Sequence, residues 1–109
     1  MGYKADFTPL IDALTSTGIP VGHGNGFKNG GAYLVWHEAE RVSENADNRP
    51  VYQYWKVRVY FFTPEEYDDR IDKIEAALIE NEIDYEGPFV EYDPEEKRTR
   101  YRYECEVVI

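Results

Sequence analysis

Along the chain, the clearest pattern is a period-two run that turns into a period near four. From Val51 to Phe62, β-branched and aromatic residues dominate, and such residues suit a pleated, half-buried surface. Odd positions (Val51, Trp55, Val57, Val59, Phe61) make one apolar face, and even positions (Tyr52, Tyr54, Lys56, Arg58, Tyr60) make an amphipathic one. That alternation predicts a strand. Thr63-Pro64-Glu65-Glu66 then has the form of a helix start, with Thr63 as N-cap, Pro64 in the first turn and Glu66 closing a capping box. Tyr67, Ile71, Ile74 and Leu78 recur at steps of four, three and four. One helical stripe over 64–80 follows, and the preceding strand is the nearest apolar surface to bury it.

The rest of the chain is read the same way. Phe7, Leu10, Ile11 and Leu14 form the stripe of a short helix over 7–14, with Asp6 or Thr8 as cap and Pro9 in its first turn. Gly18 falls where a left-handed residue ends such a helix. Ile19-Pro20-Val21 reads as a short edge strand, because proline cannot donate to a ladder. Strand two is expected over 32–38. Residues 38–50 are polar with no sustained apolar period, and they read as a long loop. Strand four is expected over 83–92, interrupted at Gly87-Pro88, and strand five over 98–109. In strand five Thr99, Tyr101, Tyr103, Cys105, Val107 and Ile109 face the core, while Arg98, Arg100, Arg102, Glu104 and Glu106 face water. A turn over 93–96 would set Tyr92 opposite Lys97 and Glu91 opposite Arg98. The order helix, short strand, strand, strand, helix, strand, strand predicts an α+β fold: a single antiparallel-rich mixed sheet with two helices packed on one face.

The chain is 109 residues long, which suits one domain over 1–109 with one core. No apolar run is long enough to span a bilayer and the first residues are polar, so a cytosolic origin without a signal peptide is expected. A single Cys105 excludes an internal disulfide and a cysteine metal cluster. The net charge of −10 argues against non-specific binding to a phosphate backbone, though not against lying near DNA while repelling it.

Candidate chemistry is sparse. Residues 22–31 hold five of the eight glycines. They lack the Gly-Lys-Ser/Thr ending and the following helix of a phosphate cradle, so a mobile loop that orders against a partner is expected. His23 and His37 with Glu38 or Asp47 match no metal-ligand spacing. Cys105, in the inward register, reads as a small core hydrophobe. The basic row Arg98, Arg100, Arg102 resembles a nucleic-acid strip, but alternation sends Tyr101 and Tyr103 to the opposite face. Pairing with carboxylates of the sheet or of a neighbouring subunit is the better expectation. No catalytic, cofactor or metal residue is assigned.

Several stretches carry a family likeness: Phe7-Thr8-Pro9-Leu10-Ile11-Asp12-Ala13-Leu14, Thr17-Gly18-Ile19-Pro20-Val21, Ala32-Tyr33-Leu34-Val35-Trp36, Asn45-Ala46-Asp47-Asn48, Val57-Arg58-Val59-Tyr60-Phe61-Phe62, Ile83-Asp84-Tyr85-Glu86 and Tyr101-Arg102-Tyr103-Glu104-Cys105-Glu106. Over nearly its full length the chain resembles the tail terminator, or tail completion, proteins of long-tailed phages and prophages. The resemblance implies a non-enzymatic structural protein of the virion, made in the bacterial cytoplasm. Such proteins form a homo-hexameric ring that caps the head-proximal end of the tail tube, ends tube polymerisation and meets the head–tail connector. DNA would pass through the lumen without sequence-specific contact, and no membrane or cofactor is implied. A head-to-tail ring needs two different patches per subunit. The irregular stretches offer His23, Asn25, Phe27 and Lys28 in one, and Asn45, Asp47, Asn48 and Arg49 in the other, as contacts to a sister subunit or the tube. Another neck or head completion protein, or a small non-catalytic host binding module, is the alternative.

Overall fold

The computed structural model describes residues 6–24, 26–47 and 49–109, without the side chains of Ala46, Pro50 and Val51. The elements are α1 (Thr8–Ser16), β1 (Val21–His23), β2 (Tyr33–Ala46), β3 (Arg49–Thr63), α2 (Arg70–Glu80), β4 (Asp84–Asp93) and β5 (Arg98–Val108). The strands lie in one sheet in the order β1-β2-β3-β5-β4. β1 runs parallel to β2, and every other neighbouring pair is antiparallel.

Alternation puts Leu34 and Trp36 of β2, Val57, Val59 and Phe61 of β3, and Tyr103, Cys105 and Val107 of β5 on one face. That face receives Phe7, Leu10, Ala13 and Leu14 from α1 and Ile74, Ala77 and Leu78 from α2, forming a single buried core. The α+β class and the placement of both helices on one face agree with the sequence pattern. Gly18, with φ of +78°, ends the first helix region as expected.

The ends of the helices differ from expectation. No side chain caps α1: Phe7 is its N-cap, and Asp6 instead accepts a hydrogen bond from the Trp55 indole at 3.4 Å. α2 starts at Arg70 rather than Pro64. Thr63 finishes β3, fully buried, and its hydroxyl donates to Asp68 at 2.6 Å. Asp68 in turn accepts from the Arg70 amide at 2.9 Å, one residue ahead of the N-cap Asp69, whose own side chain makes no capping bond. Tyr67 sits in the intervening bend with φ of +57° and is 86% exposed. It does not belong to the buried stripe. The Thr63 hydroxyl does accept from the Glu65 amide at 3.1 Å, but a bend over 64–67 follows it in place of a helical turn.

The largest departure is in residues 38–50, expected as a loop. β2 and β3 stay paired through this whole segment, with bulges between Glu38 and Glu40 and between Glu44 and Asn45, until Ala46 faces Arg49. β5 accompanies β3 only as far as the Val108–Tyr54 pair. Beyond that point the hairpin runs on as a two-stranded arm. Its residues show no apolar period because neither face is covered by a helix. The molecule measures 50 × 26 × 25 Å, and its radius of gyration of 14.8 Å exceeds the roughly 13 Å of a compact domain this size.

The β4–β5 connection also shifts. Asp93 pairs with Arg98, Tyr92 with Thr99 and Glu91 with Arg100, so each partner lies two residues later than a turn over 93–96 would give. Lys97 takes the left-handed conformation, with φ of +54°. The carboxylate of Asp93 accepts from the amides of Glu95 and Glu96, which closes the longer turn.

Candidate interaction surface

The sheet face away from the helices is open, and four cross-strand rows populate it. Tyr33, Phe62, Arg100 and Glu91 form the first; Val35, Tyr60, Arg102 and Phe89 the second; His37, Arg58, Glu104 and Glu86 the third; Lys56, Glu106 and Asp84 the fourth. The basic row of β5 is absorbed within the chain. Arg100 pairs with Glu91 and lies over the Tyr60 ring. Arg102 lies 4.8 Å from the Phe89 ring centroid. Arg98 donates to the carbonyls of Gly30 at 2.8 Å and Gly31 at 3.1 Å.

Those last bonds fix the glycine-rich stretch. Gly22 and His23 are strand residues, and 26–31 folds onto the start of β2. The Phe27 ring packs on Gly22 so closely that a Cβ there would lie 2.1 Å from it, and its edge meets Tyr33. Lys28 reaches Glu96 at 2.8 Å, and Glu96 also accepts from the Tyr33 hydroxyl at 2.9 Å. Burial and that carboxylate push Tyr33 up to about 12. The expectation of a mobile loop waiting for a partner is therefore corrected for 26–31: the loop already has one, the chain's own sheet. A cleft of about 260 Å³ lies beneath it, between Phe27, Tyr33, His37, Tyr60 and Arg100.

The proposed contact residues fall into two separate groups. His23 stacks on Trp36 with ring centroids 4.0 Å apart, and its Nε2 lies 2.5 Å from the Glu38 carboxylate. With Phe27 and Lys28 it belongs to the glycine loop side. Asn45, Asp47 and Arg49 are exposed at the far end of the arm, where Asp47 has φ of +52°. Twelve residues of β2 lie between Tyr33 and Ala46, a span of about 40 Å at the usual strand rise. Asn25 and Asn48 lie outside the described residues. The two histidines are not brought together, since His23 is on the helix side and His37 on the open face. Burial first, then Arg58, holds His37 below the ordinary histidine range. Among the described residues no group of three or more His, Cys, Asp or Glu could hold a metal ion. Cys105 is buried between strands, and burial pushes its thiol up to about 12, which favours the uncharged form.

Two surfaces escaped the sequence. One is the arm itself with its apolar root: Val42, Tyr54 and Val108 align across three strands, the Tyr52 ring lies tilted against Tyr54, and Val108 is 56% exposed. The available signal was the Asp47-Asn48 doublet, a two-residue hairpin turn type. The other is the outer half of β4, an edge strand whose Phe89, Val90 and Tyr92 are all exposed. No protein-family model and no curated protein matches this chain.

Proposed function

We propose that this chain is a ring-forming structural protein of a phage or prophage virion that caps the head-proximal end of the tail tube, stops its growth and joins it to the head connector. The arm carries this reading. A two-stranded hairpin with no core of its own is marginal in water, so an arm of this length gains its stability and its purpose against another molecule. The arm and the β4 edge are different patches, which suits head-to-tail closure into a homo-hexamer. The sequence resemblance supplies the partners: copies of itself, the tail tube protein and the connector, with DNA passing through the lumen.

The test is assembly. Purified protein, alone and mixed with tail tubes, is examined by light scattering and negative-stain electron microscopy. Six-membered rings with a central hole, alone or on one tube end, are the expected result. A strict monomer that leaves tube ends bare and tube length unregulated would overturn the proposal.

A further inference from the structure

The outermost strand pair is electrostatically frustrated. Asp84 faces Glu106 and Glu86 faces Glu104 across the β4–β5 ladder, and like charges directly opposite are unfavourable. Arg58 takes up Glu104 at 3.1 Å. Among the described residues neither Asp84 nor Glu86 has an ion-pair partner. β4 holds four carboxylates and no cation, and its outer edge is unpaired while Phe89, Val90 and Tyr92 stand exposed. Natural edges are guarded by lysines, prolines or bulges. Here the Gly87-Pro88 bulge guards the middle of β4 and leaves Phe89–Asp93 open.

The arm has the complementary character. Segment 40–56 carries three acids and three bases in a chain of net charge −10, so it is among the least acidic parts of the surface. Arg49 at its end is exposed and has no ion-pair partner among the described residues. Past Trp36, β2 borders only β3, because β1 pairs no further than Trp36. The arm thus offers an unpaired strand edge, a cation and an exposed apolar root.

We propose that the arm of one copy docks on the free β4 edge of the next, with the β2 edge of the arm extending the neighbour's sheet in antiparallel fashion, Ser43 near its Val90 and Arg49 reaching its Glu86. Main-chain pairing supplies the contact and the charges set its polarity. The patches differ, so each copy gives an arm and receives one, and the contact propagates in one direction until it closes. This inference rests on the self-assembly part of the proposed function.

Thiol cross-linking tests it. Ser43→Cys lies on the arm edge of β2 and Val90→Cys on the outer half of β4, both at exposed positions. Native Cys105 is buried and stays silent. A short bismaleimide, tolerant of a two-residue register slip, is added to assembled protein. The double variant, and a mixture of the two single variants, should give cross-linked multimers, whereas neither single variant alone should. In a second measurement, Glu86→Lys should raise the concentration of half-assembly at least tenfold while leaving the monomer folded. Rings that form without the Ser43–Val90 cross-link would overturn the docking and leave the ring standing. Cross-linking by Ser43→Cys alone would mean that arms meet arms, which also overturns it. A protein that never assembles, even on tube ends, would overturn both readings.

Discussion

Asp68 and Thr63 are the two buried polar residues among the described ones, and Asp68 carries the charge. Burial alone would raise its pKa, but hydrogen bonds from the Arg70 side chain, the Thr63 hydroxyl and the Arg70 amide outweigh it and hold the carboxyl at about 2. The unfolded chain takes up this proton near the ordinary value of 3.8. The native state therefore gains stability above that pH and loses it as pH falls from about 4 toward 2, by roughly 2 kcal/mol in all. Asp68→Asn should lower stability at neutral pH by about 1–3 kcal/mol, since Arg70 is partly exposed and keeps Glu65. Chemical denaturation between pH 7 and 2 checks both, and the variant should show a flatter acid limb than the parent. Gly22 is constrained by space instead. A methyl group there collides with the Cβ and ring of Phe27, and moving that ring unseats the loop held by Arg98. Gly22→Ala should destabilise by about 1–3 kcal/mol in a denaturant titration.

At the scale of elements, α2 separates what periodicity can and cannot locate. Ile74 is fully buried between helix and sheet, and Ile74→Ala should cost about 2–5 kcal/mol by denaturant titration. Tyr67 carries the same spacing signal yet sits exposed in a bend. Tyr67→Ala should therefore change stability by less than about 0.5 kcal/mol in the same experiment. Spacing identified the stripe from Ile71 to Leu78 correctly. It overran at the start because the hydroxyl of Thr63 binds Asp68 five residues on, a contact that exists only once β3 and the bend are in place. The arm failed to register for the opposite reason. Residues 38–50 carry no period because their strand has water on both faces, and alternation marks a strand only where one face is buried.

For the whole molecule, the question is what the 50 Å long axis is for. The core contains both helices and the central strands but none of the described arm residues beyond Trp55. Replacing residues 44–52 with Asn-Gly keeps the Ser43–Gln53 pair and closes a short hairpin. That truncation should leave the thermal midpoint of the monomer within about 3 °C. It should also abolish ring formation, read by light scattering. A truncated protein that still forms rings would place the contact elsewhere. Hydrogen exchange should report the same division in the free chain. Amides of 43–46, 49 and 51–53 should exchange far faster than those paired between β3 and β5.

Local patterning determined much of this protein: the α+β class, the alternating faces of β3 and β5, the helical stripes through Leu10 and Ile74, and the left-handed stop at Gly18. These follow from side-chain period and backbone sterics, which act over a few residues. Tertiary structure decided the rest. Arg98 reaches across to Gly30, 68 positions away, and turns a glycine-rich segment into a fastened cover. The sheet order sets β4 at an edge, exposes Phe89, Val90 and Tyr92, and opposes Glu86 to Glu104. Whether a strand is central or terminal, and whether a hairpin lies over a core or beyond it, depends on which distant segments pair, and no periodicity within either segment encodes that.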